Sequence, residues 1–89
     1  MKILVIGVRN EHLLKLRKIY TNAKIVGITD SKIAKQKVAN SESYDLIISM
    51  TKFTSHRTEK NYGRLNNYYR VNGGVSSLML LLNTKLVSL

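Results

Sequence analysis

The stretch best equipped for chemistry is Asn72-Gly73-Gly74-Val75-Ser76-Ser77, in which two glycines separate an apolar run from a helical one. Glycines there let the backbone approach a ligand, while free N–H groups and the dipole of the following helix favour negative charge. The hydroxyls of Ser76 and Ser77 add donors. The other reading is that the glycines serve only a tight turn. The stretch is not a Walker loop, because the required Gly-Lys-Ser/Thr is missing.

Thr51-Lys52-Phe53-Thr54-Ser55-His56-Arg57 gathers hydroxyls, cations and a histidine at a predicted helix start. Side chains such as Thr51, Lys52, Ser55 and His56, together with the backbone, suit phosphate oxygens. Arg57, Lys60 and Arg64 then recur at i, i+3 and i+7. They form one basic stripe fit for nucleic-acid phosphates, or else a solvated helix face. A third loop, Gly7-Val8-Arg9-Asn10, offers Arg9 and Asn10. Gly7 stands alone where a dinucleotide fingerprint has three glycines. Asp30 holds the place of a ribose-binding acid, although a position near a helix's positive end explains it equally. Tyr62, Tyr68 and Tyr69, interleaved with Arg64 and Arg70, can stack on bases or pack the core.

Catalytic parts are missing. His56 needs an orienting partner to act as a base, and adjacent Ser55 points away from it on a helix. His12 has less to recommend it. Paired carboxylates, His-rich ligand spacing and a nucleophile triad are all absent, so the expectation is a protein that is not an enzyme, with no metal and no cofactor. The lack of cysteine excludes disulfides, thiolate nucleophiles and thiolate zinc sites. A reducing cytoplasm is the simplest compartment.

Four short apolar runs must position these residues: Ile3 to Gly7, Ala23 to Ile28, Asp45 to Met50 and Tyr68 to Asn72. Their scant polar alternation suits strands buried on both faces of a parallel sheet. Helix signals lie between them. Asn10 caps a predicted helix from Glu11 to Tyr20 with Leu13, Leu16, Ile19 and Tyr20 inward. A second runs from Ser31 to about Asn40, and a third from Thr54 or Ser55 to about Asn66. The last follows Gly74, with Val75, Leu78, Met79 and Leu82 on one face and Leu80 and Leu81 on the other.

Strand and helix thus alternate four times, which predicts a small doubly wound, Rossmann-like α/β fold: a four-stranded parallel sheet of order 2-1-3-4 with helices on both faces. Residues 1–89 suffice for one such domain. Ligands of such sheets bind outside the carboxyl ends of the strands, here between the first and third. The opening apolar run is too short for a signal-peptide core, and Leu78 to Leu82 is too short to span a bilayer, so no membrane partner is expected. The final helix is apolar nearly all round, which predicts a homodimer through it, or a helix simply tucked against the sheet.

Met1 to Gly7, then Tyr44-Asp45-Leu46-Ile47-Ile48 leading into Thr51 and Ser55-His56, then Val71 to Ser77, resemble an uncharacterised prokaryotic family, domain of unknown function 2325. The likeness covers nearly the whole chain and implies a small Rossmann-like domain without an established activity. Members of that family often carry an acid shortly before the Ser-His pair. This chain has Met50-Thr51-Lys52 there, which implies a more basic pocket and no acid-dependent role.

Fifteen Lys and Arg against five acids leave a formal charge of +10. So large a bias on a small domain self-repels unless a partner relieves it. The expected function is a non-enzymatic binding module for nucleic acid or another polyanion, through the strand-end loops and through Lys52, Arg57, Lys60 and Arg64. The alternative is a small-molecule binder that senses or sequesters a nucleotide or phosphorylated metabolite. It would be held by Arg9, Asn10, Thr51, Lys52, Ser55, His56, Asn72, Gly73, Gly74, Ser76 and Ser77.

Overall fold

A computed structural model of the chain describes residues 1–28, 44–54 and 66–87. The predicted second and third helices, with Asp30, Ser55, His56, Arg57, Lys60, Tyr62 and Arg64, lie outside the described residues.

Four parallel strands, β1 (Lys2–Ile6), β2 (Lys24–Ile28), β3 (Leu46–Met50) and β4 (Tyr68–Val71), form a sheet of order β2-β1-β3-β4. This is the predicted arrangement of a doubly wound α/β domain. The β-branched, uncharged interiors of β1 and β3 suit their central places, because the inner strands of an all-parallel sheet are buried on both faces, as Ile3, Val5 and Ile48 on one side and Leu4, Ile6 and Ile47 on the other are here. Register sets Ile3 beside Ile25 and Leu46, and Val5 beside Gly27 and Ile48. Alternation then sends Ile3, Val5, Ile25, Ile48 and Val71 to one face and Leu4, Ile6 and Ile47 to the other.

Helices α1 (Asn10–Ile19) and α2 (Val75–Val87) both pack on the first face. Leu13 and Leu16 of α1, with Tyr20 just beyond it, follow a three-to-four spacing and are buried. Leu78, Leu82 and Leu86 of α2 do the same. Leu16, Leu78 and Leu82 are wholly buried, each contributing about 1.5–3 kcal/mol of transfer free energy.

Two details of α1 correct the sequence reading. Arg9, not Asn10, is the N-cap: its backbone is extended, its carbonyl accepts the Leu13 N–H at 2.9 Å, and no side chain caps the helix. Ile19 is 47% exposed rather than inward, since at 3.6 residues per turn it sits roughly 90° from the middle of the Leu13–Leu16–Tyr20 stripe. Gly27 in β2 reflects the close approach of α1. A methyl there would lie 2.7 Å from Leu13 Cδ2, so the helix could not seat over a larger residue.

Tyr20 joins the two helices. Its hydroxyl donates to Asn83 Oδ1 at 2.7 Å and lies 3.2 Å from the Met79 carbonyl. Burial pushes the Tyr20 phenol above its ordinary range.

Candidate anion-binding rim

All four strands are parallel, so the loops that follow them share one end of the sheet. Gly7 turns the chain out of β1 at φ 88° while its N–H donates to the Ile28 carbonyl at 2.9 Å. A side chain there would meet Thr54 Cγ2 at 3.1 Å and Phe53 Cβ at 3.2 Å. Glycine is therefore required twice over, by the backbone angle and by the neighbours. The same contacts show that Phe53 and Thr54 fill the space above Gly7, where the first and third strands part.

Hydrogen bonds draw the loop after β3 onto the rim. Residues Thr51–Phe53 make a single 3₁₀ turn, which nothing in the sequence announces. Thr51 Oγ1 donates to Asn72 Oδ1 at 2.9 Å and approaches the Val71 carbonyl at 3.2 Å, tying this turn to the end of β4. Beneath it Ser49, wholly buried, pairs with the Thr54 hydroxyl at 2.9 Å. From sequence Ser49 reads only as a strand residue. Its single hydroxyl in an otherwise apolar strand is the available signal that something must satisfy it.

Cations stand on this framework. The Arg9 guanidinium lies 6.0 Å from the Phe53 ring centroid and 3.9 Å from the Glu11 carboxylate. That pair is well exposed at both partners, so water and salt weaken it and Arg9 stays available to an anion. Lys52 is exposed and has no carboxylate partner among the described residues.

The glycine pair divides in its reasons. Neither Gly73 nor Gly74 has a positive φ, so neither is demanded by the turn's backbone angle. Gly73 is required by packing, because a Cβ would collide with the Ser77 side chain. Gly74 faces open space, and a methyl added there would meet nothing within 4 Å. Its carbonyl accepts the N–H groups of Ser77 and Leu78 at 3.1 and 3.2 Å. At such a helix start the N–H groups of Val75 and Ser76 have no partner within the helix. Ser76 and Ser77 are exposed beside them.

The structure thus gathers Arg9, Thr51, Lys52, Asn72, Gly73 and Gly74 at one end of the sheet. Asn10 is turned into the helix as its first residue. Asn72, Gly73 and Ser77 also line a groove of about 410 Å³ on the flank between β4 and α2, together with Arg70, Leu80 and Thr84. The sequence reading does not anticipate this groove. Its signal is the apolar far side of α2, where Leu80 is 69% exposed. Among the described residues no three His, Asp or Glu side chains cluster to hold a metal ion, and no helix is long and apolar enough to cross a membrane.

Fold and rim together define a small parallel α/β domain whose strand-end loops present cations and open backbone. No protein-family model, curated protein or solved structure matches the chain.

Proposed function

We propose that this chain is a non-enzymatic module of the cytoplasm that binds nucleic acid or another phosphate-bearing polyanion. The observation that carries this reading is its uncompensated charge. Lys15, Lys18, Lys24 and Lys52 are exposed with no carboxylate partner among the described residues, on a chain of formal charge +10. Arg9 and Lys52 stand on the strand-end rim, where the open approach to Gly74 lets a phosphate reach backbone donors.

Fluorescence anisotropy with a labelled single-stranded oligonucleotide, repeated across salt concentrations, tests this. Each phosphate neutralised contributes about 0.7 to the slope of log K against log salt for a single strand. The double variant Arg9→Gln/Lys52→Gln removes two such contacts and lowers the slope by about 1.4. Absence of binding at low salt, or a slope unchanged in the variant, refutes the reading.

The second reading, a nucleotide or phosphorylated metabolite held at the same end, is favoured by the groove of about 410 Å³ that reaches Asn72, Gly73 and Ser77. Native mass spectrometry separates the two. A stoichiometric nucleotide-sized adduct supports the groove, and co-purifying polymer supports the cationic rim. We also propose self-association through α2, on the strength of its exposed Leu80.

A further inference from the structure

The opposite end of the sheet carries a second basic concavity that neither strand-end reading uses. A groove of about 580 Å³ runs along the amino-terminal end and outer edge of β2, lined by Met1, Arg17, Thr21, Asn22, Lys24 and Ile25 among others. β2 is an edge strand, so Ile25 turns its carbonyl away from β1. Lys24 and Ile28, by contrast, bond inward to Met1 and Gly7.

Arg17 occupies that outward direction. Its Nε donates to the Ile25 carbonyl at 2.9 Å. One nitrogen of the guanidinium is thereby fixed, and the two terminal nitrogens, with four N–H donors between them, are left for another acceptor. An arginine immobilised in this way has already lost part of the side-chain entropy that binding an anion would otherwise cost. No carboxylate among the described residues competes for it. The exposed Thr21, Asn22 and Lys24 border the same groove, bringing a hydroxyl, an amide and an ammonium to one wall. A planar fork beside a point charge and neutral donors matches a tetrahedral oxyanion.

The end of α1 bears on the same point. Carbonyls at a helix carboxyl terminus repel anions, and Arg17 and Lys18 lie in the last turn of α1 where they offset that dipole. An arginine serving only there needs no groove in front of it. Arg17 instead reaches across to the edge strand and faces a concavity with three further polar residues.

We propose that the Arg17–Lys24 groove is a phosphate-binding site, separate from the strand-end rim and set at the other end of the sheet. The phosphate can belong to a small molecule or to a nucleic-acid backbone, and the shared chemistry is the oxyanion. This goes beyond the rim reading and stands without it. If both sites act, a polyanion contacts the domain at two ends of the sheet.

The test is a nitrogen–proton NMR titration of the full chain at low ionic strength, first with pyrophosphate and then with a single-stranded oligonucleotide. Expected is a shift of the Arg17 Nε–H and of the Thr21, Asn22 and Lys24 amides. Arg17→Gln, and independently Lys24→Gln, weaken the pyrophosphate response at these amides at least fivefold. Lys24 makes no side-chain contact that the described fold depends on, so its variant keeps the test valid if Arg17→Gln unfolds. Response to pyrophosphate with no tighter binding of the oligonucleotide assigns the site to a small phosphate. Tighter oligonucleotide binding that moves the same amides assigns it to a polymer backbone. If amides 21–24 stay still with both probes, or if both variants respond as the parent does, there is no such site. Shifts confined to residues 72–77 also overturn it while leaving the strand-end reading intact.

Discussion

Replacing Tyr20 by phenylalanine isolates one hydrogen bond between the two described helices. The ring remains in the core with Leu13, Leu16, Leu82 and Leu86, so the loss is confined to the hydroxyl that donates to Asn83 Oδ1 at 2.7 Å. Asn83 is exposed and turns to water once abandoned. The Met79 carbonyl keeps its place in the helix ladder. No buried polar group is stranded, and the cost is therefore the net worth of one bond, about 1 kcal/mol near neutral pH. The pH dependence makes the prediction sharper. Burial holds the folded phenol above its ordinary value of 10.0. As pH rises past that value the unfolded chain gives up the proton while the folded one retains it. The unfolded state then binds fewer protons, so stability falls. This contribution is fully present below pH 10 and is lost as pH climbs through the folded pKa, a window the phenylalanine variant lacks. Urea unfolding followed by circular dichroism, with parent and variant compared from pH 8 to pH 11, measures it. The parent's advantage should shrink above pH 10. A difference that stays constant over the range, or a variant already as stable as the parent at pH 8, would contradict this account of Tyr20.

Gly7→Ala places a side chain at φ 88° and against Thr54 and Phe53, and should cost about 2 kcal/mol. Thermal unfolding checks it, and a cost below about 0.5 kcal/mol would show that the turn relaxes freely. Ser49→Ala removes the bond to Thr54 from a fully buried site. It should cost about 1 kcal/mol and speed hydrogen exchange locally at residues 51–54; uniform exchange changes across the sheet would mean that Ser49 supports the strand and not the loop.

The sheet is legible in the sequence because its signal is local: short Val- and Ile-rich runs ending in turn residues, separated by amphipathic spacing. The final helix is legible for the same reason, with Leu80 facing outward as read, but Leu81, read onto the same outer face, is half-buried and packs against the core. Asn10 reads as a cap because its side chain suits that role, while the preceding Gly7 turn sets where the helix begins and puts Arg9 in the capping position. Ile19 shows the limit of reading apolarity as burial, since the stripe is fixed by three better-placed residues. The rim is half legible. Residue types at Arg9, Lys52 and Gly74 are those that a proposed anion site calls for. That Phe53 and Thr54 close over Gly7, and that Thr51 clasps Asn72, depends on contacts between loops distant in sequence. The Arg17 groove escapes a sequence reading because its donors come from a helix end, a turn and a strand, with no motif among them.

The distribution of the described charge predicts opposite salt dependences for the two proposed kinds of association. Lys85 is the sole charged residue of α2, and its ammonium rests 3.0 Å from the Tyr69 hydroxyl and 4.3 Å from that ring's centroid. Of the other described cations, Arg70 of β4 lines the groove beside Leu80, Lys2 opens β1, and the rest lie on α1, at the start of β2 and on the rim. Two copies of formal charge +10 repel one another, and repulsion between exposed charges fades beyond a Debye length, about 8 Å at physiological ionic strength. A contact through Leu80 and the flank of α2, Arg70 aside, keeps most of the described cations of one copy away from those of the other. Added salt screens what repulsion remains. Self-association should then tighten as salt rises, whereas polyanion binding should weaken with the slope of its phosphate contacts. Sedimentation velocity at low and high salt measures the first, and Leu80→Ser should abolish it while leaving oligonucleotide affinity at low salt within about twofold, a free-energy change of about 0.4 kcal/mol. A dimer that dissociates with salt, or one untouched by Leu80→Ser, would mean that α2 is not the meeting face and that charged residues hold the copies together.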